Sequence, residues 1–229
     1  MNPLLNTNIA KLNARIREIA QKNSRSEKEI TLLAVSKTRS ALDIRQAFAG
    51  GLTHIGENYL QEAIEKQAEL QDLPLSWHFI GPIQSNKTAA IAARFDWVHS
   101  IDRLKIARRL NDQRPKDLRP LQCCIQVNIG ADQTKSGISL DKLPLLTDQI
   151  AELTNIELRG LMVIPKFSME PEQQRKPFRQ LADALTQLKE KWPALDTLSM
   201  GMSVDMDSAI AENTTILRIG TALFGPRNR

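Results

Sequence analysis

The sequence predicts a closed barrel of eight parallel strands, each followed by a helix: a (β/α)8, or TIM, barrel. Three observations carry that expectation. Eight short apolar runs alternate with helical segments along the 229 residues, with nothing left over. The first run, Leu32-Leu33-Ala34-Val35 with Ile30 upstream, is apolar at successive positions, which marks a strand covered on both faces, as parallel strands are. Eight is also the usual number at which such a sheet closes and loses its edges. A doubly wound open sheet shares the alternation and is the competing architecture. No linker, repeat or low-complexity tract interrupts the pattern, so one domain over residues 1–229 is expected.

Taken in order, residues 4–22 carry Leu5, Ile9, Leu12, Ile16 and Ile19 at helical spacing. This gives an extra amphipathic helix ahead of the first strand, docked on the outside. The first strand ends at Ser36-Lys37, and the helix over residues 41–49 stops at Gly50-Gly51. Residues 53–58 form a second strand with a polar end, and a helix over residues 60–70 leads to a third strand over 77–81. A helix over 87–95 and a fourth strand over 97–101 follow. The next helix, over 103–112, ends ahead of Pro115, because the residue before a proline resists the helical conformation. Residues 121–129 are the longest strand candidate; after a polar loop over 130–137 comes a helix over 140–153. A sixth strand over 158–164 ends at Pro165, and a long helix spans 171–191. Strands over 197–202 and 216–221, separated by a short helix over 206–212, complete the eight.

Composition bounds the function classes. Hydrophobic residues are 41% and charged residues 25%, ordinary for a globular chain, while aromatics at 4% leave packing to Leu, Ile, Val, Ala and Met. The net charge of +5 is spread along presumed helices among acidic residues, which argues against a nucleic-acid surface and suits a small anionic ligand. Cys123 and Cys124 are neighbours in a strand, so they point to opposite faces and read as reduced core thiols rather than a disulfide or a zinc site. No signal peptide opens the chain and no apolar run is long enough to span a bilayer, so a cytoplasmic protein is expected.

Barrels bind their ligands at the C-terminal ends of the strands. Those ends carry Lys37, Asn58, Gly81 with Gln84 to Asn86 behind it, Ser100, Asn128, Met162, Ser203, Arg218, Gly220 and Thr221. Lys37 is the one nucleophile among them, although by itself it also reads as a solvated lysine closing a strand. His54, His78 and His99 fall early or midway along their strands. That favours satisfied interior histidines over three zinc ligands, and no HExxH or paired-carboxylate motif accompanies them. Ser199-Met200-Gly201-Met202-Ser203 ends the seventh strand ahead of a helix, and Gly220-Thr221 ends the eighth, where barrels often bind phosphate. Tight turns alone would read the same way. Closure sets strand eight beside strand one, so this phosphate site would neighbour Lys37. The pair suits a phosphorylated aldehyde held as a Schiff base, and a nearby cation such as Arg218 would favour a neutral amine. Pyridoxal phosphate meets both requirements.

Several motifs run in order through the chain: Ala34-Val35-Ser36-Lys37, Gly56-Glu57-Asn58-Tyr59, Trp77-His78-Phe79-Ile80-Gly81, Gln84-Ser85-Asn86-Lys87, Lys135-Ser136-Gly137, Arg159-Gly160-Leu161-Met162, Ser199 to Met206 and Arg218-Ile219-Gly220-Thr221. Over nearly its whole length the chain resembles the pyridoxal phosphate homeostasis proteins, the YggS or PROSC family. The resemblance implies the barrel of the alanine racemase N-terminal domain, the fold type III of pyridoxal phosphate proteins. It also implies Lys37 as the Schiff-base lysine, and Ser203, Gly220 and Thr221 with the Met202 backbone as the phosphate cradle. Arg218 would face the pyridine nitrogen and Asn58 would line the ring. Val204 departs from the family pattern, where a polar residue is expected, without touching the serine contact.

An arginine at the pyridine nitrogen would weaken the ring as an electron sink. Related racemases use a tyrosine from an additional β domain as a second proton carrier; the sequence as given carries no such domain, and its one tyrosine, Tyr59, belongs to the second strand's loop. The expected function is therefore a monomeric carrier without catalysis or metal. It would take part in cofactor homeostasis and amino-acid and keto-acid balance, passing pyridoxal phosphate to apo-enzymes, with Lys135 a candidate acceptor during transfer. The alternative is a racemase-like enzyme acting on amino acids.

Overall fold

In the computed structural model, which describes residues 4–130, 136–166 and 168–226, eight parallel strands close into one barrel in the order β1 to β8. The strands are β1 (Thr31–Val35), β2 (His54–Glu57), β3 (Ser76–Phe79), β4 (Trp97–Ile101), β5 (Leu121–Val127), β6 (Ile156–Val163), β7 (Thr197–Ser199) and β8 (Ile216–Ile219). The helices are α1 (Leu5–Lys22), α2 (Ala41–Ala49), α3 (Leu60–Glu69), α4 (Thr88–Arg94), α5 (Leu104–Gln113), α6 (Leu143–Ala151), α7 (Pro171–Lys189), α8 (Met206–Ala211) and α9 (Thr221–Phe224). Barrel closure is the pairing of β1 with β8, Thr31 opposite Ile216 through Ala34 opposite Ile219. The open-sheet alternative is thereby excluded.

Local chemistry explains the boundaries. Ser40 caps α2 reciprocally with Asp43, and the left-handed turn that stops the helix falls on Gly51, at φ 91°. Pro171 opens α7, where a missing N–H costs nothing. The sequence pattern extends the seventh strand to residue 202, but the structure ends it at Ser199. Gly201 adopts φ 91° and turns the chain inward, and its carbonyl accepts from the Arg218 amide. A Cβ there would stand 2.5 Å from Ala209 Cβ and 2.8 Å from Leu217 Cδ2, so glycine is required twice over. The short β7 is held by other means: the Thr215 hydroxyl accepts from Leu198 N, and the Thr214 hydroxyl donates to the Met200 carbonyl at 2.7 Å. The eighth strand likewise stops at Ile219, and Thr221 opens the four-residue α9, too short to leave a periodic signal.

Two cores flank the sheet. The larger lies between strands and helices and includes Ile44, Ile55, Ile91, Ile106, Leu121, Phe178 and Leu181. Helix α1 adds Leu5, Ile9, Leu12, Ile16 and Ile19, as its spacing implies, and is tied to α9 by Asn8 Nδ2 donating to the Leu223 carbonyl. Inside the barrel, Leu33, Val35, Ile80 and Ile216 form a small apolar layer. Cys123 packs into the outer core, while Cys124 is buried at a shift in the β5–β6 register and interacts with Arg218; both are reduced. Burial raises both thiols, so neither offers a thiolate. Among the described residues no helix is long and apolar enough to cross a membrane.

Candidate functional site

At the C-terminal ends of the strands a cavity of about 510 Å³ is lined by Lys37, Asn58, Met202, Ser203, Arg218, Gly220 and Thr221, the seven residues that the family resemblance puts forward. The strand-end candidates Gly81, Ser100, Asn128 and Met162 are not part of its lining. Val35, Ile80, Ile164, Val204 and Ala222 complete its wall. The polar residues come from the ends of β1, β2, β7 and β8, which the barrel brings to one side of its mouth. Lys37 and Arg218 are the two ionisable side chains among these described lining residues.

Lys37 follows β1 and is half-buried. Its two chain neighbours are anchored by a charge cluster. Lys66 of α3 is buried, and its Nζ donates to the Ser36 carbonyl at 2.7 Å, to Glu57 Oε1 at 2.7 Å and to Glu62 Oε1 at 2.6 Å. The Ser36 hydroxyl donates to Glu57 Oε1, and the Thr38 amide donates to Glu62 Oε1, both at 2.5 Å. Thr38 sits at φ 65°, a left-handed conformation that a β-branched residue rarely adopts, so the turn beside Lys37 is held by these contacts. Burial raises the Glu57 carboxyl above its usual range, against the pull of Lys66 and the hydrogen bonds from Lys66 and Ser36. Glu57 Oε2 is buried without a partner among the described residues.

On the opposite wall the turns after β7 and β8 are joined, the Ser203 hydroxyl accepting from Ala222 N at 3.3 Å. Asp205 fixes the first of them by accepting from Met202 N at 2.6 Å; burial raises its carboxyl, while the Met202 amide and Arg218 act the other way. At Gly220 an added Cβ would stand 3.3 Å from the Val35 carbonyl, so this rim has little room for a side chain. Asn58 lines the cavity, and its Oδ1 is buried and unpartnered among the described residues.

Arg218 forms the floor. It is 4% exposed, and two of its donors are fixed from behind, one on Ser199 Oγ and one on the Val163 carbonyl, each at 2.8 Å. Burial lowers its pKa to about 10, with Asp205 and Cys124 acting in the other direction. The three histidines run away from it in a line: His99 Nδ1 lies 2.7 Å from Ser199 Oγ, His78 Nδ1 2.9 Å from His99 Nε2, and His54 Nδ1 2.9 Å from His78 Nε2. Their nitrogens face one another, so they satisfy one another's hydrogen bonding, as their early and mid-strand positions imply; no metal-binding cluster occurs among the described residues. Burial lowers all three, His99 to about 3.

Comparison with known proteins adds independent findings. The family described as "Alanine racemase, N-terminal domain" matches residues 7–228. A pyridoxal phosphate homeostasis protein of Pseudomonas aeruginosa is 56% identical over 221 residues, covering 96% of this chain and 95% of that protein. Its counterpart in Escherichia coli K12 is 50% identical over 224 residues, covering 96% of each. The chain belongs to this family of pyridoxal phosphate homeostasis proteins. Solved structures also set the barrel in context. PipY of Synechococcus elongatus, solved with pyridoxal phosphate bound, superposes with a TM-score of 0.81 at 40% identity, covering 92% of this chain and all of that one. Alanine racemase of Corynebacterium glutamicum shares the fold alone, with a TM-score of 0.70 at 17% identity over 96% of this chain and 62% of that one.

The residues that sequence reasoning missed are Glu57, Glu62 and Lys66 beside Lys37, with Ser199 and Asp205 behind Arg218. One signal was available: Glu62 and Lys66 are four apart on a helix, facing the strand that ends at Glu57. Lys135, the candidate transfer residue, lies outside the described residues.

Proposed function

We propose that this chain binds pyridoxal phosphate in the mouth cavity and serves as a cytoplasmic, monomeric carrier in its homeostasis and in amino-acid and keto-acid balance, delivering it to apo-enzymes. The observation that carries the reading is the convergence of a lysine, an arginine and two glycine- and hydroxyl-bearing turns from four strand ends on one cavity. When bound, pyridoxal phosphate supplies an aldehyde for reversible condensation with an amine, which releases one water. Lys37 is that amine, with Ser36 and Thr38 locked on either side of it. Ser203, Thr221, the Met202 backbone and the narrow rim at Gly220 suit a phosphate. Arg218, which can only donate, suits an unprotonated ring nitrogen, and Asn58 lines the same cavity, where it suits the edge of the ring. A single amine with no second proton carrier among the described cavity residues supports a carrier over a racemase; Tyr59 is exposed.

Loading with pyridoxal phosphate, desalting, borohydride reduction and peptide mapping test the reading. A visible absorbance band that survives desalting and a label on the Lys37 peptide are expected; a label confined to another lysine overturns the assignment. Exchange of the α-hydrogen of L- and D-alanine in deuterated water tests the carrier role. Turnover at enzymatic rates of about 1–1,000 per second would make the protein a catalyst.

A further inference from the structure

The interior of the barrel holds a polar row that the mouth cavity does not use. It starts at His54, the first residue of β2 at the barrel base, and runs through His78 of β3, His99 of β4 and Ser199 of β7 to Arg218 of β8. His78, His99 and Ser199 are fully buried, Arg218 nearly so, and His54 is the member that meets solvent. The side chains facing the row are few. Asp96 acts on His54, Trp97 stacks on His78 at 5.4 Å with Ser76 Oγ 3.3 Å from the same ring, and Asp205 and Cys124 act on Arg218.

Hydrogen-bond chemistry gives this row a direction. Arg218 can only donate, so Ser199 Oγ accepts from it. Among the described residues the Ser199 hydroxyl then has one acceptor for its own hydrogen, His99 Nδ1 at 2.7 Å. His99 therefore carries its proton on Nε2 and donates to His78 Nδ1. His78 carries its proton on Nε2 and donates to His54 Nδ1, and His54 presents an Nε2–H at the base. Every member of the row donates in the same sense, away from the cofactor end.

We propose that His54, His78, His99 and Ser199 form one directional hydrogen-bond chain that positions Arg218 and couples proton uptake at the barrel base to cofactor retention at the mouth. A second proton on His54 occupies Nδ1, which then faces the Nε2–H of His78 donor to donor at 2.9 Å. Restoring the bond requires each imidazole to exchange tautomers in turn. Ser199 Oγ then accepts from His99 and Arg218 together, and its own hydrogen loses its acceptor. An unmet hydroxyl next to the guanidinium loosens Arg218 from behind. The coupling rests on the assignment of Arg218 to the cofactor ring made above, whereas the direction of the chain does not.

Two measurements test it. In cofactor-free protein at pH 8, ¹⁵N NMR of the imidazoles should show the Nε2–H tautomer at His54, His78 and His99; an Nδ1–H tautomer at His78 or His99 overturns the chain. The dissociation rate of pyridoxal phosphate, followed by its visible absorbance after dilution, should rise about tenfold more on the acid side of pH 6.5 in the parent protein than in His54→Gln, which hydrogen-bonds but does not titrate. His54→Asn replaces that variant if it fails to fold. An identical acid limb in parent and variant overturns the coupling. Unchanged retention in Arg218→Ala overturns the site reading beneath it, and is told apart from failure of the chain because the tautomers are read without cofactor.

Discussion

Lys37 and Lys66 occupy the same corner of the barrel in opposite circumstances. Lys66 donates to three oxygens, is 5% exposed and faces Glu57, which is wholly buried. Lys37 is half-buried and lines a cavity of about 510 Å³ whose other ionisable side chain is Arg218. The first lysine is consumed in fixing backbone, and the second stands on the backbone so fixed. Burial and charge therefore identify the scaffold lysine, whereas position at a strand end marks the one proposed to react.

The sharpest way to break this comparison is to remove each lysine. Lys66→Met should lower unfolding free energy by about 3–5 kcal/mol, because it strands Glu57 in the interior, whereas Lys37→Met should cost under about 1 kcal/mol. Urea titration measures both. Equal losses would erase the distinction, and Glu57→Gln combined with Lys66→Met should recover much of the larger one. Gly201→Ala at the other wall should cost about 2–4 kcal/mol, from left-handed strain and the contact with Ala209 and Leu217. A melting temperature within a degree or two of the parent would refute the turn geometry.

The two regions also differ in the sign of their pH dependence. Burial lowers the pKa of His54, His78 and His99 in the folded barrel, so below about pH 6.5 the unfolded chain binds more protons and stability falls with acid. The window runs from about 6.5 down to about 3 for His99, with a slope of up to about 1.4 kcal/mol per pH unit for each histidine. Glu57 is raised instead, so its contribution is present below the usual glutamate range and is lost as pH climbs through the folded value. Denaturation between pH 7 and 5 should therefore show a shallower slope in His99→Gln than in the parent, and an unchanged slope would place the acid sensitivity elsewhere. Smallest of all, Ser203→Ala should weaken pyridoxal phosphate binding about fivefold with little change in stability, as expected for one hydrogen bond. Calorimetric titration distinguishes this from no effect.

Parallel strands announce themselves, and all eight were legible because buried runs such as Leu121–Val127 have no competing explanation. The count of strand ends put Lys37, Asn58, Ser203, Arg218, Gly220 and Thr221 among the candidates. The family resemblance added Met202 and separated them from ends such as Ser100 and Asn128, which lie outside the cavity lining. The histidine row was not legible, because it depends on which interior side chains meet across the barrel, with Ser199 and His99 a hundred residues apart. The Lys66 cluster stayed hidden for a different reason. A lysine on an amphipathic helix reads as solvated, and its inward turn is decided by the carboxylate waiting on β2.

The pairing of β1 with β8 has a consequence for biogenesis. The cavity draws Val35 to Asn58 from one end of the topology and Met202 to Ala222 from the other. Strands two to seven can find their neighbours locally as a nascent chain lengthens, but this site comes into being only when the last strand docks on the first, a closure of high sequence separation. Uptake of cofactor should thus lag behind secondary structure during refolding and report the moment the barrel shuts. Added ligand would stabilise that final state without hastening the steps before it.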